Sequence, residues 1–158
     1  MGVAPASRRR QRELRYMTFA AGIGAVVQLA LGMVVNLYSA IPAAHPGSQP
    51  ANYLTGSARS LAWAITSGGP ALAIHAAFGL ALVVMAAAAA GRAVALRGGA
   101  AAVVLVVAAL LVVGAGFNGA SFLDFGGQEI SSLLMSLLAF SAVACYLLAG
   151  LLLSESRA

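Results

Sequence analysis

The chain has 158 residues, of which 61% are hydrophobic and 8% are charged, and its mean hydropathy is +0.94. A soluble domain of this size could not cover its surface with so few charged side chains, whereas a lipid bilayer solvates apolar surface without cost. The net charge of +5 has only arginine on its positive side. The composition therefore excludes an ordinary soluble protein and predicts an integral membrane protein.

A basic arm, residues 1–16, opens the chain and carries five arginines, which are Arg8, Arg9, Arg10, Arg12 and Arg15. Such a cluster is also typical of nucleic-acid binding, but here it comes directly before the first apolar run, residues 17–38. Arginines beside a membrane span are held in the cytoplasm, where they can contact anionic headgroups. The position of the cluster therefore favours a cytoplasmic arm on the lipid bilayer, with no nucleic acid as partner.

A cleaved secretory signal is the alternative interpretation of this beginning, because basic residues, an apolar run and the stretch 39–44 follow one another. The apolar core of a signal has about 7–15 residues. The run 17–38 is longer, and it contains Gln28 and Asn36. We therefore interpret it as a first membrane span that is retained.

The connection that follows, residues 39–70, is patterned enough to have structure of its own. Its first half holds three prolines and His45, and it should be extended and rich in turns. In its second half four apolar residues recur at helical spacing, with Ser57 as a candidate N-cap. The sequence predicts a short helix on the outer membrane surface, packed through Leu54, Ala58, Leu61 and Ile65.

Three further apolar runs cover residues 71–90, 100–117 and 130–153, and residues 154–158 form a short tail. Crossing the hydrocarbon core as a helix takes roughly 17–25 residues, and backbone groups in lipid must bond within their own segment. We therefore predict an all-α polytopic membrane protein. It should be a bundle of four transmembrane helices with a short interfacial outer helix.

The orientation follows from the arginines that flank the predicted spans. The basic arm, Arg92, Arg97 and Arg157 fall on one side of the membrane, and only Arg59 falls on the other. Arginines in short flanks are retained on the cytoplasmic side during insertion. Both termini are therefore predicted to be cytoplasmic, in a bacterial plasma membrane.

Four residues of the first span recur every fourth position and share one helix face: Gly24, Gln28, Gly32 and Asn36. Small residues let helices approach closely, and amides hydrogen-bond across the contact for about 0.6 kcal/mol each. The same amides could instead contact a ligand. Packing and ligand binding both remain open for Gln28 and Asn36.

His75 is the strongest functional candidate, because an ionisable side chain within a span is expensive. It lies roughly 8 Å below the outer end of its span at 1.5 Å per residue. Gly79, one turn deeper, leaves room for a flat ligand or a close helix. The alternative is a neutral histidine that hydrogen-bonds to Asn36, Ser132 or Gln28.

The connection between the third and fourth spans supplies further polar side chains on the outer side. The predicted topology brings Asn118, Glu129 and Ser132 into the outer third of the bundle, near Asn36 and His75. A polar pocket is therefore predicted there. For Glu129 the simpler interpretation is a first-turn carboxylate that is favoured by the helix dipole.

The sequence contains no complete catalytic motif. It has no phosphate-binding glycine loop with lysine, no Cys/His cluster with zinc spacing and no serine nucleophile with acid and histidine partners. Cys145 is the single cysteine, so no intramolecular disulfide can form. Enzymatic activity stays open, and a protein that is not an enzyme on its own is favoured.

Residues 28–32 (QLALG) and 74–80 (IHAAFGL) resemble a four-helix half-module of haem A synthase and, more loosely, cytochrome b561-type bundles. The resemblance implies that His75 is a ligand of haem iron. Those modules have a second histidine where this chain reads SSLLMS, so Met135 would be the other axial ligand. The chain is also similar to small uncharacterised bacterial four-span proteins, which implies no activity.

Two functions follow from these observations. The first is an outer-face pocket around His75 that binds haem, a quinone or another lipophilic group, with the cofactor-binding residues His75, Gln28, Asn36, Asn118 and Ser132. The second is a non-catalytic membrane subunit that packs against a partner membrane protein or a second copy of itself. A bound group would favour the first function, and a copurifying partner would favour the second.

Overall fold

Five α-helices make up the structure, a computed structural model that describes residues 5–97 and 99–155. No strand occurs within those residues. The predicted all-α architecture, with four long helices and a short one, is confirmed. The helices are α1 (Pro5–Tyr38), α2 (Tyr53–Ser67), α3 (Pro70–Ala95), α4 (Gly99–Asp124) and α5 (Glu129–Glu155).

All helices except α2 are long and apolar enough to cross a membrane. At 1.5 Å per residue, a helix of 26 residues extends about 39 Å, which exceeds the ~30 Å hydrocarbon core. The third span was predicted to end at residue 117, but α4 continues to Asp124. The amide of Asn118 does not end the helix, because it donates back to the carbonyl of Gly114 at 2.9 Å.

The four long helices form a ring in the order α1, α3, α4, α5. Large side chains such as Phe140 and Leu147 are 70% and 65% exposed, whereas the buried centre is mostly alanine. Small residues allow close helix contacts in a membrane, and lipid solvates the large apolar side chains outside. This distribution fits a multi-pass membrane bundle. The central alanines include Ala21, Ala86, Ala90, Ala93, Ala108, Ala142 and Ala149.

One end of the bundle, which we call the basic end, is held by an ion-pair network between α1 and α3. The carboxylate of Glu13 pairs with Arg92 and, at 3.1 Å, with Arg9. The neighbouring Leu14 is buried in the core. Part of the predicted basic arm is therefore a helical extension of α1. Residues 1–4 and the end of the predicted tail, 156–158, lie outside the described residues.

Helix α2 lies at the opposite end of the bundle, which we call the loop end. It contacts α3 and α4. Its N-cap is Asn52, whose side chain accepts the backbone N–H of Thr55 at 3.1 Å. The prediction of Ser57 as the cap was therefore wrong. The buried face of α2 consists of Gly56, Ser60 and Ala64.

The predicted packed stripe of α2 is wrong in its first half. Leu54 is 69% exposed and Ala58 is also exposed, while Leu61 and Ile65 are half-buried. The helix packs through small residues because the preceding loop crosses it closely, so that a Cβ at Gly56 would overlap the ring of Pro50. Apolar periodicity could not reveal this face, since a close backbone approach selects small side chains.

Candidate functional site

His75 lies in the second turn of α3 and faces Gln28 of α1. The amide nitrogen of Gln28 lies 3.1 Å from the backbone carbonyl oxygen of His75 and 3.2 Å from its ring Nε2. A carbonyl oxygen only accepts, so the amide donates one hydrogen to it and directs its second hydrogen at the ring nitrogen. Nε2 is therefore the acceptor, and the proton of the neutral imidazole is on Nδ1.

Two buried polar atoms of this contact have no partner among the described residues, namely Nδ1 of His75 and Oε1 of Gln28. The contact depends on two glycines. A Cβ at Gly79 would lie 2.8 Å from the Gln28 amide nitrogen, and one at Gly32 would lie 3.3 Å from His75 Cε1. The imidazole and the amide thus join α1 to α3, yet one donor and one acceptor remain unused.

Asn36 lies two turns beyond Gln28, at the loop end of α1. Its Nδ2 donates to the hydroxyl oxygen of Ser132 in α5 at 2.8 Å. One turn further along α5, the hydroxyl of Ser136 donates to the backbone carbonyl of Ser132 at 2.9 Å. Asn36 therefore joins α1 to α5, and its Oδ1 remains available as an acceptor.

A cleft of about 600 Å³ opens beside the bond between Asn36 and Ser132. It lies between the loop ends of α1 and α5 and the connection from α4 to α5. Glu129, in the first turn of α5, is exposed and forms no ion pair with the described residues. The polar lining is Asn36, Ser39, Glu129, Ser132 and Ser136, and the apolar lining is Ile41, Phe122 and Leu133.

The remaining predicted site residues lie in other contacts. Asn118 bonds to its own helix. The sulfur of Met135 packs against Gly119 of α4, 3.3 Å from the position of a Cβ there. Within residues 5–97 and 99–155, no group of three or more His, Cys, Asp and Glu side chains is placed to hold a metal ion. The structure therefore pairs Gln28 with His75 and Asn36 with Ser132, and it places Met135 against Gly119.

A second polar cluster, which the sequence did not reveal, holds α2 to the end of α4. Ser57 donates to Oδ2 of Asp124 at 2.7 Å, and Asp124 is fully buried. His45 stacks on Trp63 with ring centroids 4.3 Å apart, and its Nε2 lies 3.0 Å from the carbonyl oxygen of Leu123. These partners are far apart in the chain, and no motif connects them.

No known protein family, no curated protein and no solved structure matches this chain. The resemblance to haem A synthase and cytochrome b561-type bundles therefore stays a prediction from residues 28–32 and 74–80. The four long apolar helices support a multi-pass membrane protein.

Proposed function

We propose that this protein binds a lipophilic molecule with a polar head in the cleft at the loop end. The observation that carries the proposal is the cleft itself, about 600 Å³ in volume, with amide, hydroxyl and carboxylate groups beside apolar side chains. Sites for small ligands have volumes of about 300–1,000 Å³ and combine apolar walls with a few oriented polar groups. Leu133, on the same edge of α5, is 53% exposed, so an apolar tail can leave the cleft toward lipid.

Haem fits the described residues less well than other lipophilic groups. A histidine that ligates iron must offer it an unprotonated ring nitrogen. Nε2 of His75 already accepts a hydrogen bond from Gln28, and Nδ1 is buried and carries the proton. Met135 packs against Gly119. A quinone, a quinol or another lipid-soluble molecule needs no such ligand, and we retain that form of the proposal.

His75 has a positioning role in this proposal. It packs against Gly32, which lies one turn, or about 6 Å, below Asn36 on the same face of α1. By fixing α1 against α3, the contact between His75 and Gln28 also fixes the height and rotation of Asn36. The cleft therefore depends on His75 through α1.

Purification in mild detergent, followed by mass spectrometry of an organic extract, tests the proposal. We expect a copurifying lipid-soluble molecule that Ser136→Phe loses and Leu134→Phe retains. Ser136 lines the cleft, whereas Leu134 lies outside its lining and is 43% exposed. Equal retention by both variants would overturn the proposal. A visible haem spectrum that disappears in His75→Ala would favour haem instead.

We further propose that the loop end faces the outside of a bacterial plasma membrane and that both termini are cytoplasmic. The basic end carries Arg9, Arg92 and Arg97, whereas the loop end carries Arg59. Arginine in short flanks is retained in the cytoplasm, which supports this orientation.

Two exposed alanines give a matched test of the orientation, Ala44 at the loop end and Ala95 at the basic end. Each is changed to cysteine in a chain that carries Cys145→Ala. An impermeant thiol reagent should label position 44 in intact cells and position 95 only after lysis. Labelling of position 95 in intact cells would show that the protein has the opposite orientation.

A non-catalytic membrane subunit is the second candidate function. Gly91 in α3 and Gly150 in α5 have open space where a Cβ would lie, and such positions let a helix from another chain approach closely. A membrane protein that copurifies in fixed ratio, and that is lost in Gly91→Leu, would favour this function.

A further inference from the structure

We infer that the cleft selects a polar head group that carries no negative charge, and that it discriminates against phosphate. Hydroxyl and amine heads share this chemistry. The inference rests on the proposed function and adds the class of ligand to it.

The charge of the lining gives the first reason. Among the described residues that line the cleft, Glu129 is the one charged side chain. Arg59, the arginine of the loop end, lines a different groove with Gly47 and Asn52. Recognition of lipid phosphate generally uses basic side chains, and a phosphate in this cleft would instead meet the carboxylate of Glu129.

The N-terminus of α5 gives the second reason. Free backbone N–H groups at such a position often bind anions. Here the N–H groups of Ser131 and Ser132 are both donated to the carbonyl oxygen of Gln128, at 3.1 and 3.3 Å. Glu129 itself supplies the negative charge that the helix dipole favours. The N–H groups of Glu129 and Ile130 form no such bond among the described residues, and an anionic ligand that approached them would compete with the carboxylate of Glu129.

The unused hydrogen-bonding capacity shows how a head group without negative charge can be held. Asn36 donates one amide hydrogen to Ser132, and Ser136 donates its hydroxyl hydrogen to the Ser132 carbonyl. The acceptors that remain are Oδ1 of Asn36, the hydroxyl oxygen of Ser136 and the carboxylate of Glu129, and the donors that remain include the second amide hydrogen of Asn36 and the hydroxyl hydrogen of Ser132. A head group that both donates and accepts hydrogen bonds can satisfy both kinds.

Three probes with the same decyl chain test the inference: decylhydroquinone, decylamine and decyl phosphate. Their binding to the purified full chain in phosphatidylcholine nanodiscs is measured by native mass spectrometry. Decylhydroquinone and decylamine should bind, and decyl phosphate should bind roughly fivefold more weakly, as expected for one exposed charge contact. Glu129→Gln should bring decyl phosphate to within about twofold of decylhydroquinone.

Ser136→Phe separates the two possible failures. If the wild type binds decyl phosphate as well as decylhydroquinone, and Ser136→Phe loses both, the selectivity inferred here is overturned while the cleft remains a binding site. If the wild type retains none of the probes above the level of Ser136→Phe, the proposed function fails, and the inference fails with it.

Discussion

The two sides of the loop end differ in how they are covered. Above α3 and α4, helix α2 packs through its small residues, and Ser57 is bonded to the buried carboxylate of Asp124. Beside α1 and α5 a cleft opens instead, and Asn36 and Glu129 keep acceptors that face it. The covered side therefore holds α2 in place, and under the proposed function the open side holds the ligand. Substitutions on the two sides should therefore change different measurements.

Gly56→Ala on the covered side should have the largest effect, because its Cβ would overlap the ring of Pro50. Forcing a methyl group into a packed contact costs about 1–3 kcal/mol. Because there is no space between Gly56 and Pro50 for a methyl group, we expect a cost near the upper end of this range. The free energy of unfolding in detergent should fall, and proteases should cut the 39–52 segment faster. Ala58→Leu, on the exposed face, is the control. Similar results for both variants would show that α2 is not packed through its small-residue face.

Ser57→Ala should come next, with a loss of roughly 2 kcal/mol, because it leaves a buried charged acceptor unpaired. It removes the hydrogen bond to Oδ2 of Asp124, whose Oδ1 already lacks a partner among the described residues. Unfolding of the purified protein, followed by circular dichroism, measures the change. Ser67→Ala, at the exposed end of α2, should be close to neutral. Ligand retention should be the same in both variants, and a loss confined to Ser57→Ala would make the covered side part of the binding site.

The four long helices could be predicted because the length of an apolar run can be compared with the fixed thickness of a bilayer, and the existence of α2 could be predicted from apolar residues at helical spacing. The end of α4 could not, since Asn118 among nearby glycines looks like a helix end although the amide bonds within the helix. Gln28 was among the predicted partners of His75, but Ser132 was predicted there too and instead bonds Asn36. Partner choice depends on how each helix is rotated about its axis, where one residue corresponds to about 100°. A single sequence does not fix that rotation.

The lining of the cleft was harder still to predict. Ser132 and Ser136 are four residues apart, and this spacing placed them on one face of α5. Ser39, Ile41 and Phe122 join them from other parts of the chain. Their positions depend on the path of the irregular connections, and the sequence of such a connection has no periodicity from which its path could be predicted.

The contact between Gln28 and His75, below the cleft, should contribute about 0.6–1.7 kcal/mol, the range measured for polar contacts between membrane helices. A double-mutant cycle with Gln28→Ala and His75→Ala isolates the coupling, because each change removes the same interaction. The double variant should lose less stability than the sum of the two single variants, and this difference should be smaller than the effect of Gly56→Ala. Ile74→Ala, at a position that is 56% exposed, should show no coupling to Gln28→Ala. A coupling near zero for His75 would mean that α1 is positioned by apolar packing alone.

Asn36→Ala should have the smallest effect on stability and a clear effect on binding, which makes it the sharpest test of the comparison between the two sides. Its amide bonds across to Ser132, so its removal should cost about 0.6 kcal/mol of unfolding free energy. Asn118→Ala is the matched control, because that amide bonds to Gly114 of its own helix and does not line the cleft. Both variants should fold nearly as well as the wild type. The amount of copurifying lipophilic molecule should fall by about threefold in Asn36→Ala, the equivalent of one such hydrogen bond, and should not change in Asn118→Ala. Equal retention in both variants would mean that the open side does not hold the ligand, because a residue that lines the cleft and one that does not would then behave alike.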